Sequence, residues 1–174
     1  MDRSKSNLTG IGAACLLANG LIFIFYALSV PAFVHGVHWL ITLTAVFFIV
    51  ALSGLYNYLS RGYKNAALAV AALIGGGMGL IVLSDILLIS SLIPRFTHDL
   101  IYVFGNGLFV ISLFVIGVVS WKENLPKWVS ILSLVTGIVG VFTYVPGAVL
   151  LLVPSLLLVG VWSLAMGITL RKTK

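Results

Sequence analysis

Acidic side chains are almost absent from this chain, which has four Asp and Glu residues against ten Lys and Arg. Charged residues of both signs make up 8% of the sequence, whereas a soluble domain carries about 25%. With 61% hydrophobic residues, the chain has too little polar material to cover a water-soluble domain. The surplus of apolar side chains therefore predicts helices that cross a membrane and face lipid.

Cysteine is nearly absent as well, since Cys15 is the only one among the 174 residues. A single cysteine excludes a disulfide within these residues, and it excludes the paired-cysteine motifs of redox and zinc sites. Cys15 lies in an apolar run, where a small buried hydrophobic side chain is the simplest interpretation.

Six apolar runs follow one another along the chain, and each is near the roughly 20 residues that a helix needs to cross a hydrocarbon core. The first run is longer than the apolar core of a signal peptide, so we expect a retained span. Pro31, Pro94 and Pro146 mark span ends because proline interrupts a helix. The sequence thus predicts an all-α, single-domain bundle over 1–174, with transmembrane helices at about 8–30, 39–59, 66–92, 100–120, 128–145 and 148–170.

The basic residues predict the orientation of this bundle. Nine of the ten lie in alternate gaps between spans, and only Arg95 lies in the other set. The nine are Arg3, Lys5, Arg61, Lys64, Lys122, Lys127, Arg171, Lys172 and Lys174. Because cytoplasmic segments carry an excess of Lys and Arg, we expect a multi-pass protein of the cell membrane with both termini cytoplasmic. The net charge of +6 is explained in this way, so membrane lipids are expected partners and nucleic acid is not.

The remaining polar residues concentrate on the opposite, outer half. Asp85 is the one acidic residue inside a span, where a charge costs about 2.5–3.5 kcal/mol at the midplane on insertion scales. It should therefore either face the bundle interior with a partner or be protonated. The partner is expected on the fourth span, where Asp99, Tyr102 and Asn106 share one stripe and Asn106 matches the depth of Asp85. Thr42 in the second span adds to the same outer half.

These residues predict an outward-facing polar pocket with three histidines at its mouth. The candidate ligand-binding residues are Asp85, Asn106, Asn19, Tyr102, Asp99 and Arg95, and the histidines are His35, His38 and His98. The same groups could instead form interhelical hydrogen bonds that only hold the bundle together.

A metal site is the sharper alternative. His35, His38, His98 and Asp99 have ligand types that suit zinc or another borderline metal. Histidines in outer segments are equally typical of ordinary interfacial residues, and they could also act as a pH sensor because imidazole titrates near pH 6.5. No Gly-x-Ser-x-Gly motif supports a serine hydrolase built on His98.

Glycine pairs predict where helices approach closely. The run 75–79 contains a GxxxG pair, Gly75 and Gly79, which in an apolar span indicates close helix packing rather than a phosphate loop. The same packing role is expected of Gly137, Gly140, Gly160 and Gly167.

The segment 103–172 resembles a group of small prokaryotic six-span membrane proteins of unknown function. The resemblance lies in a Gly-containing fourth span, in the loop Leu125-Pro126-Lys127-Trp128, and in a last span that ends in Gly and basic residues. It implies a six-helix integral membrane protein and no catalytic residues. The overall plan is also similar to the substrate-binding membrane subunits of energy-coupling-factor vitamin transporters, in which a small-xxx-small pair such as Ala14 and Ala18 docks the partner.

The sequence therefore favours a non-enzymatic membrane protein that binds a small-molecule ligand or takes part in transport. Two alternatives stay open. One is a membrane enzyme or metal site built from His35, His38, His98 and Asp99. The other is a structural accessory subunit with a membrane protein partner, in which the polar groups only hold helices together. No cofactor can be assigned from these residues.

Overall fold

The computed structural model describes residues 3–29, 38–122, 126–143 and 151–172, and in this part of the chain 92% of residues are helical and there are no strands. The six helices are α1 (Arg3–Ser29), α2 (His38–Leu59), α3 (Lys64–Ile89), α4 (Arg95–Lys122), α5 (Lys127–Phe142) and α6 (Leu152–Lys172). The prediction of an all-α bundle of six helices is confirmed.

Five of these helices are long and apolar enough to cross a membrane, as expected for an integral membrane protein. Helix α5 is apolar but shorter, with 16 residues, which is about 24 Å of helix. The predicted end of the fifth span at Val145 and the predicted start of the sixth at Ala148 lie outside the described residues.

The turn between α3 and α4 covers residues 90–94, so it is two residues shorter than the predicted loop 93–99 and lies earlier in the chain. Helix α3 ends at Ile89, and Ser91 takes a left-handed backbone with φ of 55°. The amide of Leu92 donates to the carbonyl of Leu87 and that of Ser91 to Leu88, which is the Schellman arrangement at a helix C-terminus. Helix α4 begins at Arg95, directly after Pro94, so the segment expected to be a loop up to residue 99 is the first turn of a helix. We call the end of the bundle that carries residues 90–94 the hairpin end.

The helices pack as a closed ring in chain order. Each helix lies along its chain neighbours, and α1 also lies along α6, with a shorter contact between α5 and α6. The centre holds four aromatic side chains from four helices, Phe23, Phe48, Phe109 and Trp162, with ring centroids 4.8–6.3 Å apart. The indole Nε1 of Trp162 donates to the Ser133 hydroxyl at 2.7 Å, which pairs the one polar atom of this cluster.

Glycines set the distance between neighbouring helices. A Cβ at Gly77 would lie 2.5 Å from the carbonyl oxygen of Gly105, and a Cβ at Gly20 would lie 2.7 Å from that of Gly160. A Cβ at Gly12 would lie 2.9 Å from the Cα of Gly54. Backbones can approach this closely only where no side chain intervenes, which is how small residues join helices in a membrane.

The predicted packing glycines are confirmed except at one pair. Gly137, Gly140, Gly160 and Gly167 pack against Phe114, Val110, Ile24 and Leu17 respectively. The GxxxG pair of α3 is wrong, because Gly79 has no neighbouring atom within 4 Å of its Cβ position and Gly75 meets only the tip of Leu52. The residue that faces α4 is Gly77, which lies on a different side of α3 from Gly75 and Gly79.

Replacing Gly77 by alanine should destabilise the bundle, because the new methyl group would press on the Gly105 carbonyl and force α3 and α4 apart. Overpacking of this kind costs about 1–3 kcal/mol. The midpoint of thermal unfolding in detergent measures the effect. Gly79→Ala is the matched control on the same helix, and its midpoint should stay the same or rise. Equal losses in both variants would show that the Gly77–Gly105 approach does not hold the helices together.

Candidate functional site

The close approach of α3 and α4 brings Asp85 to a histidine. Gly77, Ile81 and Asp85 follow one another every four residues and face α4. Asp85 lies eight residues from Gly77 toward the hairpin end, and His98 lies seven residues from Gly105 in the same direction. The Gly77–Gly105 contact therefore sets Asp85 and His98 at the same depth, one turn into each helix.

The centre of the site is a chain of hydrogen bonds between side chains. The Nε2 of His98 lies 2.8 Å from Oδ1 of Asp85, and its Nδ1 lies 3.0 Å from Oδ1 of Asp99. The hydroxyl of Thr42, from α2, donates to the second carboxylate oxygen of Asp85. We call these four residues, Thr42, Asp85, His98 and Asp99, the carboxylate–histidine chain; it joins α2, α3 and α4.

The carboxylate–histidine chain runs from a buried group to an exposed one. Asp85 is 8% exposed and His98 is 5% exposed, whereas the side chain of Asp99 is 63% exposed. The carboxylate–histidine chain therefore connects the surface at the hairpin end with a carboxyl group inside the bundle, through a single imidazole ring.

The two hydrogen bonds of the His98 ring determine how many protons Asp85, His98 and Asp99 share. A neutral imidazole has one N–H, yet both ring nitrogens of His98 lie at hydrogen-bond distance from a carboxylate oxygen. Two such bonds require two protons among the three groups. Either His98 is an imidazolium between two carboxylates, or one carboxyl group is protonated beside a neutral ring. Moving between these states needs only small shifts of a proton along bonds that already exist.

The partner of Asp85 comes from the fourth helix as predicted, but it is His98 and not Asn106. The side-chain amide of Asn106 donates to the carbonyl of Tyr102 in its own helix at 2.9 Å, and Asp85 bonds His98 and Thr42 instead. The predicted fourth span begins at residue 100, which puts Asn106 at the depth of Asp85. With α4 beginning at Arg95, His98 is one turn deep and takes that position.

The other predicted pocket residues divide between the site and its surroundings. The ring of Tyr102 lies one turn from His98, with the ring centroids 5.9 Å apart. Arg95 is exposed on the first turn of α4, and the ion pairs in the described residues involve His98 rather than Arg95. Asn19 is fully buried in α1 and does not bond the carboxylate–histidine chain.

Asn19 also lies deeper in the bundle than the carboxylate–histidine chain. In the antiparallel pair of α1 and α2, Thr42 lies twelve residues from Gly54 toward the hairpin end, and Asn19 lies seven residues from Gly12 in that direction. Since Gly12 and Gly54 are in contact, Asn19 is about five residues deeper than Thr42, which is about 7 Å along the helix. The single pocket predicted from the sequence is thus two separate groups.

The metal hypothesis stays a prediction. Within the described ranges no three His, Cys, Asp or Glu side chains are arranged to hold a metal ion. His98 has both ring nitrogens turned to carboxylates, which leaves it no free lone pair to offer. His35 lies outside the described residues, as does the side chain of His38.

No family model, no curated protein and no solved structure matches this chain. The resemblances drawn from its loops and span pattern stay predictions.

Removing His98 should cost much more stability than removing the charge of Asp99. In His98→Ala the buried Asp85 keeps only the Thr42 hydroxyl, and breaking a buried pair in this way costs about 3–5 kcal/mol. In Asp99→Asn an exposed amide still accepts from His98, so the loss should be about 1 kcal/mol or less. Thermal unfolding of both variants in the same detergent compares them. Similar midpoints would show that the Asp85–His98 bond does not support the bundle.

Proposed function

We propose that this integral membrane protein takes up and releases protons through the carboxylate–histidine chain, as the proton site of a transport function. Asp99 exchanges protons with water, His98 carries them inward, and Asp85 is the buried acceptor. The observation that carries the proposal is the unbroken series of hydrogen bonds from an exposed carboxylate to a buried one.

The position of Asp85 supports a functional role. Ionisable residues inside membrane spans are costly and rare, and chains of Asp, Glu and His in such spans are typical of proton relays in pumps and transporters. Histidine suits this role because it changes its charge near neutral pH. Thr42 adds a donor that holds one oxygen of Asp85, so the other oxygen keeps a fixed direction toward His98.

The aromatic centre of the bundle supports transport rather than a continuous proton channel. Phe48 lies six residues beyond Thr42 in α2, and Phe109 lies eleven residues beyond His98 in α4, so both rings are deeper than the carboxylate–histidine chain. The two rings are in contact, at 4.8 Å between centroids. Protons that reach Asp85 therefore meet an apolar layer, and passage further inward requires a change of conformation. A small-molecule solute would meet the site at exposed Asp99.

Infrared spectroscopy of the full chain in lipid tests whether Asp85 takes up a proton. Lowering the pH should produce the carbonyl stretching band of a protonated, hydrogen-bonded carboxyl group. Asp85→Asn should remove this band. Thr42→Val should move its frequency, because the hydroxyl that bonds Asp85 is lost, whereas Thr44→Val should leave it unchanged. Thr44 is the matched control, since its hydroxyl donates to the Ile41 carbonyl of its own helix.

Two outcomes would contradict the proposal. One is a difference spectrum without any titrating buried carboxyl group. The other is a band that persists in Asp85→Asn, which would assign it to another residue. A structural accessory role would then be favoured, because the same hydrogen bonds also tie α2, α3 and α4 together. That role predicts the loss of stability in His98→Ala without any titration of Asp85.

We further propose that the hairpin end faces outward and that both termini are cytoplasmic in the cell membrane. The support is the charge pattern, since nine of ten basic residues lie in the gaps of the opposite end. Under this orientation the carboxylate–histidine chain draws its protons from outside the cell.

Cysteine labelling in intact cells tests this orientation. In a Cys15→Ser background, a single cysteine at Leu92 should react with a membrane-impermeant maleimide added outside, because Leu92 is exposed at the hairpin end. A cysteine at Tyr63, exposed in the turn between α2 and α3, should react only after the cells are lysed. The reverse pattern would invert the topology and would make the proton site inward-facing.

A further inference from the structure

A second polar group lies beside the seam between α1 and α6, apart from the carboxylate–histidine chain. Asn19 and Ser163 are both fully buried, with 0% exposure. The amide nitrogen and oxygen of Asn19 and the hydroxyl oxygen of Ser163 have no hydrogen-bond partner within the part of the chain that the structure describes. Three polar atoms are thus buried and unpaired in two helices that pack along each other.

Helix geometry places these atoms on the same side of the seam. The Cβ position of Gly20 lies 2.6 Å from the Cγ of Leu164, so residues 20 and 164 face each other. The helices are antiparallel, since Gly20 meets Gly160 while Gly167 meets Ala13. Asn19 and Ser163 each precede one of these facing residues, and one residue along a helix turns the side chain by about 100°. Because the helices are antiparallel, both side chains turn to the same flank. The complete burial of Asn19 and Ser163 shows that this flank is the interior.

The two side chains cannot satisfy each other. A carboxamide offers two N–H donors and a carbonyl acceptor, and a serine hydroxyl has one donor and two lone pairs. One bond between them would leave most of this capacity unused in an apolar surrounding, where unpaired polar groups are strongly unfavourable. A buried water molecule typically makes about three hydrogen bonds to otherwise unpaired polar groups, which matches the three atoms present.

We infer that Asn19 and Ser163 hold an internal water molecule near the middle of the membrane. No charged side chain is among these partners, so the site suits a small uncharged hydrogen-bonding molecule rather than an ion. Trp162 precedes Ser163 in α6, and Phe23 lies one turn beyond Asn19 in α1. The water therefore lies beside the aromatic centre, at about the depth of Phe48 and Trp162. This inference does not depend on proton uptake by Asp85.

Hydroxyl-radical labelling with a short X-ray pulse tests the inference on the purified full chain in lipid nanodiscs. Radicals formed from bound water react with the side chains beside it, and mass spectrometry locates the added oxygen. Trp162 is itself fully buried, so its oxidation requires water inside the bundle. We expect Trp162 to be labelled in the unmodified protein.

Ser163→Ala and Asn19→Leu should each abolish the labelling of Trp162, because each removes a partner of the water. Ser112→Ala is the matched control: Ser112 is equally buried, but its hydroxyl bonds the Phe109 carbonyl of its own helix, so labelling should persist. Ser163→Ala removes a single oxygen and keeps the test decisive if Asn19→Leu fails to fold.

An unlabelled Trp162 in the unmodified protein would overturn the inference, because no water molecule would then lie beside Asn19 and Ser163. Labelling that persists unchanged in Ser163→Ala would also overturn it, because the water would lie elsewhere. Either result leaves the infrared titration of Asp85 unaffected. A failure of that titration would likewise leave this result standing.

Discussion

The hydrogen bond between Asp85 and His98 is the interaction on which the arrangement of this bundle depends. A carboxyl group inside an apolar bundle has no water to bond, so a protein partner must reach it. The partner comes from α4, and the second oxygen is held by α2. Two hydrogen bonds to one carboxyl group therefore tie three of the six described helices together.

The contact also requires that α3 and α4 lie very close together. A carboxylate on a short side chain reaches an imidazole only when the backbones are near, and Gly77 and Gly105 permit this by leaving no side chain between them. Glycine pairs at the other seams have the same effect on α1, α2 and α6. The polar site therefore depends on the glycine contacts, because short polar side chains meet only where the helix backbones are close.

Hydropathy predicts the fold of this chain well, because the backbone N–H and C=O groups of each of the six apolar runs must be hydrogen-bonded within a helix. The interior position of Asp85 follows from the same cost of buried charge, and the structure confirms it. The identity of its partner does not follow. It depends on whether α4 begins at residue 95 or at 100, which is a matter of one turn. Pro94 is the signal that fixes the start, since proline fits the first turn of a helix as well as it ends one. Nor could periodicity separate Asn19 from Asp85, because their distance depends on the tilt and register of α1 and α2.

The Schellman turn at Ser91 has a consequence for how the protein enters a membrane. It joins α3 and α4 through the five residues 90–94, so Asp85 and His98 are only thirteen positions apart in the chain. Contacts this local form early, before distant helices meet. The two ionisable groups can pair while the hairpin is still a single unit of two helices. A hairpin that enters the membrane as one unit of two helices would thus carry Asp85 already paired, rather than expose a lone carboxylate to lipid.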